Sequence, residues 1–127
     1  IGVILIKFSN DNFLVSPYYV VALLWYPAYE NLFSIIRKKI SKKSPSTPDN
    51  EHLHQLIYLY LSKLFSIDKN FSSTLSGIII CLYNLFYLLI IFDNFNHTET
   101  LVYSIIFNIL FYNFLYFLLR KKLYKNK

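Results

Sequence analysis

The sequence is poor in the residues that build several common kinds of functional site. It has one cysteine, Cys81, which excludes a disulfide framework and a thiolate metal cluster within these 127 residues. We expect Cys81 to pack as a small apolar residue in mid-helix. With only Gly2 and Gly77, the chain has no glycine-rich phosphate loop. It also has no adjacent carboxylate pair and no serine–histidine–aspartate arrangement that its order supports, so by itself it lacks a complete active site.

Methionine is absent as well. A complete chain starts with methionine, and its removal normally needs a small second residue, which Ile1 is not. The first six residues, Ile-Gly-Val-Ile-Leu-Ile, are typical of the end of a hydrophobic helix, and no basic region precedes them as in a signal peptide. We therefore expect the sequence to be the C-terminal part of a larger polytopic membrane protein.

Charged residues are missing from two long segments, 71–92 and 101–119. At about 1.5 Å per residue, each is long enough to cross a hydrocarbon core of roughly 30 Å. A soluble domain of this size has no interior that could surround two such helices. A further span, residues 13–36, is less regular because it contains two prolines and Glu30. The sequence predicts an all-α, polytopic transmembrane bundle with about three to four membrane segments.

The basic residues concentrate in residues 37–70, here called the basic loop, and in the C-terminal tail. They are Arg37, Lys38, Lys39, Lys42, Lys43, Lys63 and Lys69 in the loop and Arg120, Lys121, Lys122, Lys125 and Lys127 in the tail. The positive-inside rule therefore places the basic loop and the C-terminus in the cytoplasm. We expect most of these cations to set topology and to contact anionic lipid headgroups. Nucleic acid is not an expected partner, because no soluble basic face with interleaved aromatic residues exists.

A short amphipathic helix is predicted within the basic loop, over about residues 51–65. Asp49 or Asn50 follows two prolines and is suited to cap the start of this helix. Apolar residues recur along it at three- and four-residue steps, which predicts a face packed on neighbouring helices or on the membrane surface. This stripe is formed by Leu53, Leu56, Ile57, Tyr60 and Leu64.

His52 and His54 lie at the start of that helix, beside Asp49 and Glu51. In a regular helix, side chains two positions apart point about 200° from each other, so the imidazoles converge only in non-helical or first-turn backbone. Free amide groups and the positive dipole end of a first turn favour phosphate, to which imidazoles add hydrogen bonds or proton transfer. The alternatives are a solvated surface loop and a zinc site completed by the nearby acids.

Glu30 is the other residue of interest, because it is ionisable and lies within a predicted membrane segment, just after Pro27. Two interpretations stay open for it. Either its side chain reaches the membrane interface, or it takes part in function, as intramembrane ionisable residues commonly do.

Two stretches resemble a known family of membrane transferases. Residues 27–39 read Pro-Ala-Tyr-Glu-Asn-Leu-Phe-Ser-Ile-Ile-Arg-Lys-Lys, and residues 44–55 read Ser-Pro-Ser-Thr-Pro-Asp-Asn-Glu-His-Leu-His-Gln. A cytoplasmic loop with a basic start, a Ser-Pro…Pro-Asp element and a His-x-His-His motif is typical of the polyprenyl-phosphate N-acetylhexosamine-1-phosphate transferases, the MraY/WecA-like superfamily. The similarity covers about residues 27–58, and the flanking helices agree only in hydropathy and number.

The resemblance implies a bundle of about ten or eleven transmembrane helices in a bacterial inner membrane, with the active site on the cytoplasmic face. Residues 1–127 would form the C-terminal part of this transferase domain. Family members transfer HexNAc-1-phosphate from a UDP-N-acetylhexosamine to undecaprenyl phosphate, releasing UMP and requiring Mg²⁺. Such a reaction initiates lipid-linked O-antigen, lipopolysaccharide or other cell-envelope polysaccharide synthesis.

The resemblance also implies roles for individual residues. His52 and His54 would be catalytic, and Asp49, Asn50, Gln55 and Arg37 would bind substrate. Phosphoryl transfer depends on positioning and charge neutralisation, which suits basic and imidazole groups at a helix start. Gln55 replaces the last histidine of the family motif, so a proton-transfer role does not carry over to that position. The family's paired aspartates are absent, so the Mg²⁺ ligands are expected upstream of this sequence.

A competing hypothesis comes from a different class of protein. The chain would then be a non-enzymatic membrane module, an anchor or transporter fragment, whose basic loop binds lipid headgroups.

The topology is testable by cysteine labelling. With Cys81 replaced by serine and Ser46 by cysteine, a membrane-impermeant thiol reagent should label the protein only from the cytoplasmic side. Labelling of intact cells from outside would invert the predicted topology.

Overall fold

The structure is a computed structural model, and it describes residues 2–42, 44, 49, 51–65 and 68–124. Over these ranges it contains six α-helices and no strand, so the predicted all-α class is confirmed. The helices are α1 (Gly2–Asp11), α2 (Pro17–Leu23), α3 (Trp25–Ile40), α4 (Leu53–Phe65), α5 (Lys69–Phe92) and α6 (Thr98–Tyr124).

The helices α5 and α6 form a hairpin of two candidate membrane spans. They have 24 and 27 residues, and both are long and apolar enough to cross a bilayer. Less than a quarter of each apolar window is buried within the chain, as expected for helices that face lipid. No other helix in the described ranges meets the same length and hydropathy criteria, so the larger number of membrane segments stays a prediction.

The outward faces of α5 and α6 carry large apolar side chains. Leu82, Phe86 and Leu89 on α5 and Phe107 on α6 are each more than half exposed. Cys81 lies on this surface and is exposed, so the expectation that it packs inside is wrong. The sequence pattern misled here because a lipid-facing helix is apolar on its outer face as well as on its packed face.

The predicted span over residues 13–36 is divided in the structure into α2 and α3. The two helices meet at Leu24, three residues before Pro27. Proline has no amide hydrogen to donate to the carbonyl four residues earlier, here that of Leu23, and its ring crowds that carbonyl. The Ala28 amide nevertheless donates to the Leu24 carbonyl at 3.2 Å. The junction is therefore a proline kink between two helices that remain connected by hydrogen bonds.

The centre of the bundle is aromatic. The Trp25 ring packs edge-on against Tyr83 and Tyr87 of α5, with centroid distances of 5.9 and 5.8 Å, an arrangement that aromatic rings favour. The buried cluster around these rings draws on all helices from α2 to α6. It consists of Ala22, Trp25, Leu53, Leu56, Tyr87, Ile91, Leu101, Tyr112, Tyr116 and Leu119.

The amphipathic helix α4 starts at Leu53, two residues later than predicted, and ends at Phe65 as predicted. Its stripe is confirmed at Leu53 and Leu56, which are 2% and 0% exposed. Leu61 is also buried, whereas Leu64 is 55% exposed, so the predicted stripe is wrong at its C-terminal end.

Two substitutions on α4 test this burial. Leu56→Ala should lower the free energy of unfolding by about 2–5 kcal/mol, because it removes packed methyl groups and leaves a cavity. Leu64→Ala, the same change at an exposed position, should cost far less. Thermal unfolding of both variants in detergent measures the difference, and equal losses would contradict the described packing.

Candidate functional site

Charged and polar side chains gather where the C-terminal half of α3, the start of α4 and the end of α6 meet. This polar cluster comprises Glu30, Ser34, Arg37, Asp49, Glu51, His52, Tyr116 and Arg120. Its members from α3 are spaced four and three residues apart, and its members from α6 are spaced four apart. Such spacings place side chains on one face of a helix, so two polar faces meet across the bundle.

Arg37 is at the centre of the polar cluster, with a side chain only 12% exposed. Its guanidinium donates to the main-chain carbonyl of Glu51 at 2.5 Å and to the Tyr116 hydroxyl at 2.5 Å. It also forms an ion pair with Asp49 and lies 3.4 Å from the Glu51 carboxylate. The structure surrounds Arg37 with partners from the chain itself, and its predicted role in binding substrate stays a prediction.

Asp49 is held from several sides. The Ser34 hydroxyl and the Arg37 guanidinium donate to Oδ2, and the Glu51 amide donates to Oδ1 at 3.0 Å. Burial alone would raise the pKa of the Asp49 carboxyl. The hydrogen bonds from Ser34 and the Glu51 amide, together with the charge of Arg37, outweigh burial and hold this pKa below its usual value. Asp49 is therefore an ionised anchor of the segment before α4.

The start of α4 is capped by residues other than those predicted. Its first residue is Leu53, so the capping position falls on His52 and not on Asp49, while Asn50 lies outside the described residues. The His52 carbonyl accepts the Leu56 amide at 3.0 Å, and the Gln55 side-chain oxygen accepts the His52 amide at 3.1 Å. The first of these is the opening main-chain bond of the helix, and the second is one half of a capping box. Gln55 thus has a structural role in addition to any contact with substrate.

Glu30 meets the same helix start from α3. Its Oε1 accepts the Leu53 amide at 2.9 Å and lies 3.0 Å from Nδ1 of His52. Glu30 is only 8% exposed, so its side chain is buried in the bundle and does not extend to the water at a membrane interface. The Glu30 side chain therefore binds one of the main-chain amides that were expected to be free for phosphate. The expectation of a first turn with free amide groups is wrong for the Leu53 amide.

The two histidines converge, as non-helical backbone at His52 allows. The rings of His52 and His54 are stacked, with centroids 5.8 Å apart and planes 12° from parallel. Nε2 of His52 lies 3.9 Å from Oδ2 of Asp49. His54 is exposed, whereas His52 is tied to Glu30, so the alternative in which both imidazoles are merely solvated does not describe His52.

An open cavity of about 340 Å³ lies beside His54, between α4 and α5. Its lining is polar and consists of His54, Gln55, Tyr58, Lys69, Asn70, Ser73 and Ser76. These side chains offer hydrogen-bond donors and one ammonium group, which are suited to a hydroxylated or phosphorylated ligand. Asn70 enters this lining from α5, where the sequence provided no functional signal for it.

The charges of the polar cluster nearly cancel. Two guanidinium groups, Arg37 and Arg120, face three carboxylates, those of Glu30, Asp49 and Glu51. With His52 neutral, this leaves one negative charge in excess, so the cluster is not a basic trap for anions. Among the described residues there is also no group of three or more His, Cys, Asp or Glu side chains that could hold a metal ion. The zinc alternative gains no support from them.

Several members of the polar cluster were not predicted. Ser34, Tyr116 and Arg120 were missed, although Arg120 was noted as a basic residue of the tail. A sequence signal existed for each, because Ser34 lies four residues after Glu30, and Tyr116 and Arg120 continue a four-residue series that begins at Asn108. Two polar faces on otherwise apolar helices indicate buried contacts between them.

Comparisons of the chain with protein-family descriptions, with curated proteins and with solved structures find no match. The resemblance to the transferases therefore rests on the motif residues of this sequence.

Replacing Asp49 tests the anchoring of the polar cluster. Asp49→Asn should lower the free energy of unfolding at pH 7 by about 3 kcal/mol, because it leaves the buried Arg37 charge without its main partner. The pKa of Asp49 is lowered on folding, so its contribution is complete above the usual carboxyl pKa of about 3.9 and is lost as pH falls below it. The difference in thermal stability between the wild type and the variant should shrink on acidification.

The exposed acid Asp11 supplies the matched control. Asp11→Asn should leave the thermal stability nearly unchanged at pH 7 and on acidification. A difference between the wild type and Asp49→Asn that stayed constant down to pH 3 would show that the Asp49 carboxylate does not anchor Arg37.

Proposed function

We propose that the chain is part of a membrane transferase that moves HexNAc-1-phosphate from a UDP-N-acetylhexosamine to undecaprenyl phosphate. The observation that carries this proposal is the stacked pair His52 and His54 at the start of α4, of which His54 lines an open cavity. The reaction would initiate O-antigen or another cell-envelope polysaccharide. The chain alone would be inactive, because it lacks a complete set of catalytic groups.

The position of the histidine pair supports the proposal. The pair lies at the end of the bundle where α5 begins and α6 ends, which is also the end that carries most basic residues. On the predicted topology this end meets the cytoplasm, where nucleotide sugars are found. The long apolar hairpin would keep the pair at the membrane surface, within reach of a lipid-linked phosphate.

The cavity beside His54 supplies a second line of support. Phosphoryl transfer needs little covalent chemistry from the protein and depends on positioned donors and charge neutralisation. His54 and Gln55 on one wall and Lys69 and Asn70 on the other provide such donors. A volume of about 340 Å³ fits part of a nucleotide sugar, at the lower end of the usual range for ligand sites.

The near neutrality of the polar cluster limits how far its residues can neutralise the charge of a diphosphate. Arg37 and Arg120 are paired with carboxylates, so a diphosphate would need further positive charge. Family members use Mg²⁺, which supplies that charge when bound. The described residues do not form a ligand set for it, so we assign them the holding of the sugar nucleotide and not of the metal.

A second function is favoured by the exposed lysines near the same end. Lys39 and Lys42 follow the polar face of α3, and Lys121 and Lys122 follow that of α6, and all four are exposed. They suit a non-enzymatic membrane module whose basic loop binds anionic lipid headgroups. Such a module does not require the contact between His52 and Glu30. A search for paired aspartates in the complete reading frame would separate the two functions.

Transfer activity of the full-length protein provides the direct test. His52→Ala should reduce HexNAc-1-phosphate transfer from a UDP-sugar by at least about 100-fold, the usual cost of losing a group that handles protons. Because His52 also caps α4, His52→Asn should be made alongside it, since asparagine preserves a helix cap. Both variants should insert into membranes normally.

His97, an exposed histidine in the loop between α5 and α6, provides the matched control. His97→Ala should leave transfer unchanged. Undiminished transfer in membranes carrying His52→Asn would remove His52 from the catalytic site.

A further inference from the structure

We infer that Glu30 is a positioning residue, which fixes the tautomer and orientation of His52 so that Nε2, on the side of Asp49, is a hydrogen-bond acceptor. This inference rests on the proposed function for its catalytic meaning, but its structural content stands independently. The family resemblance assigned no role to Glu30, and the sequence left its role open.

The first step is that one oxygen of Glu30 makes two contacts. Oε1 of Glu30 accepts a hydrogen bond of 2.9 Å from the main-chain amide of Leu53, and an amide N–H can only donate. The same Oε1 lies 3.0 Å from Nδ1 of His52. We assign an oxygen that accepts an amide hydrogen as an acceptor toward the imidazole as well, which makes Nδ1 of His52 the donor.

The second step concerns the opposite nitrogen of the ring. A neutral imidazole with its hydrogen on Nδ1 presents a lone pair on Nε2. Nε2 of His52 lies 3.9 Å from Oδ2 of Asp49, too far for a direct hydrogen bond. Two acceptors therefore face each other across a gap, and a ligand that brings a hydroxyl or a protonated phosphate oxygen would satisfy Nε2.

The third step is the environment of Glu30. Its other oxygen, Oε2, is buried without a hydrogen-bond partner among the described residues, and so are the hydroxyls of Tyr26 and Tyr112. A carboxyl group shielded from water in this way forms stronger hydrogen bonds with the partners it has. Its hydrogen bond with Nδ1 therefore fixes the orientation of the His52 ring more strongly than a hydrogen bond with an exposed acid would.

A purely structural role for Glu30 makes a different prediction. If Glu30 only capped α4 through the Leu53 amide, its loss would weaken the helix start without changing the protonation pattern of His52. The tautomer of His52 therefore distinguishes positioning from capping, and it can be read without any assay of transfer.

The test uses nitrogen-15 NMR on the full-length protein labelled at histidine, in detergent and well above the usual histidine pKa of about 6.5. The His52 signals are assigned by their absence in His52→Asn. In the wild type, Nδ1 should resonate as a protonated nitrogen and Nε2 as an unprotonated one. A wild-type ring with its hydrogen on Nε2 would overturn the inference without any further variant.

Two variants complete the experiment. Glu30→Leu keeps a side chain of similar size but removes the acceptor oxygen, so the fraction of His52 with hydrogen on Nδ1 should fall. Glu99→Leu makes the same change in an exposed acid at the start of α6, away from His52, and it should leave the His52 signals in place. An unchanged His52 tautomer in folded Glu30→Leu would also overturn the inference.

Transfer kinetics then separate this inference from the proposed function. Glu30→Leu should lower kcat by about 10- to 100-fold with little change in the KM for the UDP-sugar, as for a loss confined to the transition state. A shifted tautomer in a protein whose wild type performs no transfer would refute the proposed function and leave the positioning of His52 by Glu30 established. A shifted tautomer with unchanged kcat would refute the catalytic meaning of that positioning.

Discussion

The burial of one guanidinium group is the constraint on which the polar end of this bundle depends. Arg37 stands on α3 at a depth where its charge is largely removed from water, and a buried charge must be paired. Its partners come from the segment before α4 and from α6, so neutralising it fixes three parts of the chain relative to one another.

That anchoring has a direct consequence for the histidines. Asp49 and Glu51, held by Arg37, set the path of the chain into α4. His52 then falls at the capping position, outside the regular helix, where its ring lies parallel to that of His54. Glu30 reaches the same point from about two helical turns before Arg37 on α3. The histidine pair is therefore placed by contacts between helices and not by the local sequence alone.

The site is defined by balanced charge more than by basicity. Carboxylates neutralise the guanidinium groups, and the donors left toward the cavity belong to neutral side chains and to Lys69. Such a surface is better suited to orienting a hydroxylated, phosphorylated ligand than to attracting anions from a distance. On the proposed function, a metal ion bound elsewhere in the protein would provide the missing positive charge.

The sequence by itself determined the helical class and the two apolar spans, because long uncharged segments have few other stable arrangements in a membrane. It also marked the segment from Asp49 to Gln55 and most of the buried face of α4. It did not determine that a helix boundary falls at Leu24, nor which residue caps α4. Those depend on Pro27 and on acceptors supplied from other positions.

Only the tertiary structure decided the pairing of Glu30 with His52, 22 residues apart, and the enclosure of Arg37 by Tyr116 from the far end of the chain. The polar faces of α3 and α6 are visible in the sequence as spacings of three and four residues. Which faces meet is set by how the helices pack and cross. Helical periodicity places side chains around one axis, whereas contacts between axes depend on the whole bundle.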